Sequence, residues 1–335
     1  MYIKDLVSLV TPGWNGKNFV HRLLDSIIEQ TYRPIEYIYV DDGSTDGTVD
    51  IVSSYKDKFK KANIDFKLIQ RENGGICEAL MTGFQHVTGE YMSCPEYDDI
   101  LLPNSIEEKL KYLKEHPDCA VVTADAWIVT ENTLNIRQRL ISHKNPNRFD
   151  RNHFYQALMS NSIFNAACHL IRMDLFDQTH KNRRIYSSRI APNQQILLPL
   201  YYYYNRGFIE EPLSLFLERQ GSVSHPQKTF EIEMQREIEY KNILFNTLES
   251  ISMPIDLLNL YKKRVSINVY KDYLWFGYTY DKIELFEDSL TYLEENNETL
   301  PEYYIYHKRL KSRYFKIRRN IRTQIKKLLH YFYGN

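Results

Sequence analysis

The sequence predicts an α/β protein: a mostly parallel sheet flanked by helices, followed by a helical C-terminal extension. Three observations predict it. Short apolar runs rich in β-branched and aromatic residues alternate with segments of helical period from Leu6 to Thr123. Pro, Gly and Asp fall between them, where the chain must turn. Residues 229–300 then carry long polar–apolar repeats with few Gly or Pro.

The elements follow in order. Leu6 to Val10 reads as a buried strand ended by Pro12 and Gly13. Val20, Leu23, Leu24, Ile27 and Ile28 recur at helical spacing and make one apolar face. Ile35 to Val40 is the second strand. Val49, Val52 and Phe59 line a second helix opening near Ser44 or Thr45, both good caps. Phe66 to Ile69 is the third strand, and Ala79, Leu80, Phe84 and Val87 mark the third helix. Glu90 to Cys94 is the fourth strand. Pro103 suits a first helical turn, with Ile106, Leu110 and Leu113 on the inner face of that helix. Cys119 to Thr123 is the fifth strand. The pattern loosens from Asn145 to Arg184. Residues 1–228 are expected as one domain and 229–335 as a helical region, broken near Ser252-Met253-Pro254 and Leu300-Pro301.

Composition sets bounds. At 335 residues, with 43% hydrophobic and 26% charged side chains, the chain can bury a large core. Twenty-seven tyrosines leave aromatic side chains for core and surface alike. Four cysteines at 77, 94, 119 and 168 show no paired spacing, which implies reduced thiols in a reducing compartment. The N-terminus enters a strand pattern at once and does not read as a signal peptide. No run approaches the roughly 18 apolar residues of a membrane span. The expectation is a cytoplasmic protein, peripheral on the inner face of the cell membrane. A Gly-x-Gly-x-x-Gly turn, which a dinucleotide-binding reading needs after the first strand, is missing from Thr11-Pro12-Gly13-Trp14-Asn15.

Two acidic clusters stand where strands give out into loops: Asp41-Asp42-Gly43-Ser44-Thr45-Asp46 and Pro95-Glu96-Tyr97-Asp98-Asp99. Charges at the end of a buried strand need a partner, and a divalent metal or a base-and-ribose contact supplies one.

With these motifs the chain resembles an inverting family 2 glycosyltransferase of the GT-A fold, of the kind that builds bacterial surface polysaccharides. The resemblance covers about residues 5–225. Val40 to Thr48 is similar to the family's Val-Asp-Asp-Gly-Ser-x-Asp-Gly-Thr, Glu72-Asn73-Gly74-Gly75 to its Asn-x-Gly turn, and Asp98 to Asn104 to the tail of its Asp-x-Asp-Asp segment. Ile196 to Leu200 and Gly207 to Leu213 resemble its acceptor-side helix and returning strand. The resemblance implies a nucleotide-sugar donor, a UDP-sugar, and a glycan or lipid-linked acceptor. It implies a donor site of Thr11, Pro12, Asn15, Asp42, Asn73, Gly75, Glu96 and Arg219, with Asp42 accepting the N3 hydrogen of uracil. A divalent cation, Mn²⁺ or Mg²⁺, is expected on Asp98 and Glu96, with His225 as a further ligand. Three departures stand out. Glu96 takes the place of the family's first Asp, Leu80 that of an Arg, and Asn193 that of the catalytic Asp. An amide is not a base at neutral pH, so beside Asn193 the candidates for the catalytic role are Asp125, Asp99 and His225. A non-catalytic nucleotide-sugar-binding relative is the alternative.

From Tyr303 to Asn335 there are ten Lys and Arg and no acid; the whole chain is neutral, so the rest carries a matching excess of acids. Leu310, Tyr314, Ile317, Ile321, Ile325 and Leu328 recur at steps of three and four. This pattern suits an interfacial helix on an anionic membrane, with a basic solvated face or a dimer contact as the alternative. No base-reading motif accompanies the charges, so nucleic acid is not an expected partner.

Overall fold

The computed structural model describes residues 2–131, 134, 137, 139–219 and 228–314. Among these residues nine strands join in one sheet: β1 (Ile3–Gly13), β2 (Ile35–Asp41), β3 (Ile64–Gln70), β4 (Gly89–Ser93), β5 (Ile100–Leu101), β6 (Cys119–Val129), β7 (Arg139–Leu140), β8 (His169–Arg172) and β9 (Asn205–Leu217). The helices are α1 (Val20–Ile28), α2 (Thr48–Ser54), α3 (Lys56–Lys61), α4 (Ile76–Phe84), α5 (Ser105–Glu115), α6 (Phe154–Leu158), α7 (Met173–Thr179), α8 (Pro192–Tyr203), α9 (Phe230–Ser250), α10 (Ile255–Thr279) and α11 (Ile283–Glu295).

Strand order is β3-β2-β1-β4-β8-β6-β9-β5, with β7 on β6. The pairs β1–β2, β2–β3 and β1–β4 are parallel, as the alternation of strand and helix requires. Beyond β4 the sheet is mixed: β8 runs antiparallel to β4 and β6, and β9 runs parallel to β6. That half is reached through the loosely patterned stretch after Asn145, where the sequence shows no strand–helix rhythm. The core follows the predicted faces. Val20, Leu23, Leu24 and Ile27 of α1 pack with Val7, Leu9, Tyr37 and Tyr39 of the sheet, and the ring of Phe59 in α3 lies tilted against that of Phe66, with 4.8 Å between centroids. All four cysteines are buried, and none forms a disulfide.

Three local expectations are corrected. The helix placed at Ser44 or Thr45 opens at Thr48 and is split at Tyr55. Gly47, at φ 92°, stands at the cap position, and the Asp46 carboxylate before it accepts the Thr48 N–H at 3.0 Å, while Ser44 and Thr45 are held by Asn15. Pro103 lies two residues before α5 rather than within its first turn. The C-terminal helices carry a further break at residues 280–282, where Asp281 adopts φ 55°.

Two compact units emerge, residues 1–226 with 243–253, and residues 227–242 with 254–335. The second has its own core of Ile267, Leu274, Phe286, Leu290, Leu293 and Leu310. Residues 301–314 are helical, and Leu310 is fully buried there. The start of the expected membrane-facing stripe is therefore internal packing. Lys311 and Arg313 pair with Glu287 at 3.1 Å and Asp281 at 3.3 Å. Ile317 and the rest of the stripe lie outside the described residues.

One buried carboxylate ties the parallel strands together. Glu36 of β2 is 1% exposed. It accepts from the Ser8 hydroxyl of β1, the Thr88 and Gly89 N–H groups at the start of β4 (2.6 and 3.0 Å) and Lys67 of β3 (3.1 Å). Burial alone raises its proton affinity, but the bonds from Ser8, Thr88 and Lys67 outweigh it and hold the carboxyl below its ordinary range. A depressed folded value confers stability that is complete above the unfolded-chain value of about 4.3 and is lost as pH falls through the folded value. Glu36→Gln should therefore lower stability by about 2 kcal/mol at pH 7. The gap to wild type should shrink as pH is lowered below about 4. Denaturant unfolding at a series of pH values measures this; a gap that does not change with pH contradicts it.

Candidate active site

Because β1 to β4 are parallel, the loops after them leave the sheet from one edge. In register Gly13 pairs with Asp41, Asp41 with Gln70 and Leu9 with Ser93. Two groups of side chains gather there.

The first group forms around Asp42, itself 3% exposed. Its carboxylate accepts the Gly74 N–H at 3.0 Å and the Gly75 N–H at 2.7 Å and pairs with Arg71. Asn73 Nδ2 donates to the Asp42 carbonyl at 2.9 Å. The group expected to read a base thus also holds the 71–75 loop in shape. Asn15, at φ 50°, accepts the Thr45 N–H at 2.9 Å and donates its own N–H to Ser44 Oγ at 2.9 Å, joining the first two loops. Thr11 and Pro12 are buried at the end of β1. Asp41 accepts the Ser44 N–H at 3.0 Å through one oxygen, and its other oxygen is buried without a partner.

The second group is the turn after β4. Asp99 donates its N–H to the Glu96 carbonyl at 3.0 Å and accepts the Glu96 N–H at 2.9 Å. This turn sets Glu96 and Asp98 side by side. Burial, and then the Asp98 charge, push the Glu96 carboxyl up to about 7, opposed by Arg219 and by a hydrogen bond from the Asn193 side chain. Burial followed by the charges of Glu96 and Asp98 raises Asp99 well above the carboxylate range. Arg219, just past β9, contacts one Asp98 oxygen through Nε and Nη2, both at 2.9 Å, and Nη2 also donates to the Tyr97 hydroxyl at 3.0 Å. Asn193 is the second residue of α8, which opens from Ala191 at φ 51° through Pro192.

The structure therefore brings Glu96, Asp98, Asp99, Asn193 and Arg219 together. It gives Asp125 other work. Asp125 sits at the irregular β6–β9 register and is 2% exposed. Its carboxylate accepts the Ser142 hydroxyl, the Ser142 N–H at 3.2 Å and the Ala126 N–H at 2.8 Å. A carboxylate so occupied fixes the 141–145 turn and is poorly placed to take a proton from a substrate. His225 lies outside the described residues.

Two cations escaped the sequence reading. Leu80, where an Arg was expected, is buried in α4. Arg71 stands at the Asp42 carboxylate, and Arg189 Nη1 donates to Asn73 Oδ1 at 2.9 Å. Their signals were the Arg directly after the third strand and the Ser188-Arg189-Ile190-Ala191-Pro192 approach to α8.

Among the described residues no group of three or more His, Cys, Asp or Glu converges as a cation cage. Glu96 and Asp98 still fit a divalent ion as paired carboxylates whose mutual repulsion a cation relieves, with a diphosphate completing the shell.

Parallel strands whose loops carry a polar cradle and an acidic turn make a fold similar to that of GT-A glycosyltransferases. The Glycosyl transferase family 2 model matches residues 8–179, half of the chain, and the chain belongs to that family. Over 110 residues it is 40% identical to an uncharacterized glycosyltransferase of Rickettsia typhi, a match spanning 33% of this chain and 32% of that protein. The chain thus spans about a third or less of the first curated relatives it matches. Streptococcus pneumoniae glycosyltransferase GlyG is 26% identical over 247 residues, covering 70% of this chain and 78% of its own. The crystal structure of S. aureus TarS residues 1–349 with UDP-GlcNAc superposes with TM-score 0.62 at 16% identity, over 86% of this chain and 80% of that one. Mannosyltransferase PcManGT from Pyrobaculum calidifontis, solved with GDP-Man and Mn²⁺, superposes with TM-score 0.54 at 16% identity, over 98% and 87%.

The cradle makes one positional demand. Gly75 has φ 95°, and a Cβ there would lie 2.8 Å from Arg189 Cγ. At Gly74, which has no positive φ, a Cβ would meet the Arg71 guanidinium at 2.7 Å and Glu78 Cβ at 3.1 Å. Gly75→Ala should cost about 1–2 kcal/mol of stability, and Gly74→Ala clearly less. Denaturant unfolding of both variants tests this, and equal losses would argue against a strained cradle at 75.

Proposed function

We propose that this chain is an inverting glycosyltransferase moving a sugar from a nucleotide-sugar donor, a UDP-sugar, to a glycan or lipid-linked acceptor in polysaccharide assembly. One observation carries the reading: the Asp42–Asn73–Gly75 cradle and the Glu96–Asp98–Asn193–Arg219 cluster stand at one edge of a parallel sheet. UDP-GlcNAc in the TarS fragment and GDP-Man with Mn²⁺ in PcManGT support the donor class. The domain expected over residues 1–228 holds every described site residue.

The parts divide by chemistry. Asn15, Asn73 and the Gly74–Gly75 backbone shape the nucleoside pocket, with Asp42 fixing its loop and Thr11 and Pro12 its floor. Arg219 stands where it can meet a diphosphate. Glu96 and Asp98 would hold a Mn²⁺ or Mg²⁺, which when bound neutralises the diphosphate charge. The attacking hydroxyl must lose a proton. Asn193 orients Glu96 through its amide rather than accepting that proton, and Asp125 is committed to Ser142. Asp99 is left as the candidate acceptor among the described residues. The amide at 193 also favours a second reading, a relative that binds a nucleotide sugar without turning it over.

A UDP-sugar panel with and without Mn²⁺, read by released UDP, decides between them. Wild type should release UDP in a metal-dependent way. Asp98→Asn should lose at least about a hundredfold in rate and retain its circular dichroism spectrum. UDP binding without release from any donor would favour the second reading. An Asp98→Asn variant as active as wild type would remove Asp98 from the site.

Membrane attachment belongs to this proposal. No helix among the described residues is long and apolar enough to span a bilayer. Residues 315–335 carry six of the ten tail cations, each worth at most about 1 kcal/mol near an anionic surface. Leu310 belongs to the core of the second unit, so truncation should fall after Tyr314. The shortened chain should leave anionic vesicles in co-sedimentation while keeping donor hydrolysis, and pelleting of the full chain should weaken with salt. Equal pelleting of both forms, or none of either, would overturn the membrane reading and leave the tail as a packing or oligomer element.

A further inference from the structure

The geometry points to Arg219 as a resident counter-ion that occupies Asp98 until a metal–nucleotide complex displaces it, so that metal binding and nucleotide binding are coupled through one ion-pair exchange. This rests on the donor reading above. Both Arg219 contacts, Nε and Nη2, fall on the same Asp98 oxygen at 2.9 Å. The guanidinium is held from two other sides as well, by the Tyr97 hydroxyl at 3.0 Å and by the Phe19 ring, with 4.6 Å to its centroid. Exposure of the two side chains is only 19% and 16%, so this is no loosely solvated surface pair of the kind that contributes little. Tyr97 in turn packs against Gly16, where a Cβ would come within 2.6 Å of the ring. The Arg219 position is thus built by the β1–α1 loop and the acidic turn together.

A divalent ion needs the carboxylate that Arg219 holds, and two cations on one carboxylate repel. Metal alone must break the pair and leave a part-buried guanidinium without its partner, which is costly. A diphosphate arriving with the metal supplies a new anion for the same guanidinium, in the geometry that favours Arg. Each ligand then tightens the other by linkage. A residue that merely strapped the chain after β9 would not oppose the metal. The sign of its removal therefore distinguishes the two roles.

The experiment titrates Mn²⁺ into the full chain without nucleotide, reading free Mn²⁺ by electron paramagnetic resonance, for wild type, Arg219→Gln, Arg219→Lys and Asp98→Asn. Thermal melting confirms that each is folded. The neutral Arg219→Gln should bind Mn²⁺ about tenfold more tightly than wild type, within the usual range of coupling between sites. Arg219→Lys, which keeps the charge, should stay near wild type, and Asp98→Asn should lose the site. Added UDP should then tighten Mn²⁺ binding more in wild type than in Arg219→Gln. Mn²⁺ affinity in Arg219→Gln that is equal to wild type, weaker, or undetectable in both overturns the counter-ion role. Failure of every form to bind UDP overturns the donor reading instead, while the nucleotide-free titration still reports on Arg219 by itself.

Discussion

Glu36 is the constraint on which the parallel half of the sheet depends. A single carboxylate at the starting edge of β2 gathers donors from β1, β3 and the entrance to β4. In a low-dielectric interior such a charge is tolerable only when it is fully bonded. That requirement holds the neighbouring strands in one register. The opposite edge inherits the register, and it is there that the loops after the strands meet. Structural charge sits at one end of the strands and candidate functional charge at the other.

At the functional edge the balance is struck differently. The turn 96–99 places three carboxylates within four residues, and their repulsion and burial raise the proton affinities of Glu96 and Asp99. Arg219 answers Asp98 directly. Lys109 is 2% exposed and its ammonium is pushed down to about 8 by burial, with Cys168 and Asp99 acting the other way. The turn is thus held in shape with charge that the protein itself does not fully neutralise. Under the proposed function, that is the electrostatic condition in which a cation and a diphosphate would bind as a pair.

The Asp42 loop illustrates how one residue serves structure and site together. The family resemblance makes Asp42 a contact for a base, and in the folded chain its carboxylate binds Gly74, Gly75 and Arg71. Asn73, held by the same loop, passes the connection on to Arg189. The segment before α8, which carries Asn193 to Glu96, is in this way anchored to the loop of Asp42. Asn193 and Asp42 lie 151 positions apart in the chain, and this relay of hydrogen bonds is one link between their segments.

By itself the sequence determined the four parallel strands, the apolar faces of their helices, both acidic strand ends and the family. Each is a local signal: period, turn residues, or a motif within ten residues. It also marked the breaks near Pro254 and Pro301, where proline opens the helix that follows. What it left open was everything set by contacts between distant segments. The mixed half of the sheet, the commitment of Asp125 to Ser142, the burial of Leu310 and the pairing of Arg219 with Asp98 all belong to that class. A carboxylate's role depends on which donors reach it, and a leucine's on whether a core or a solvent meets it. Those partners are chosen by tertiary packing, whose energetics no window of sequence contains.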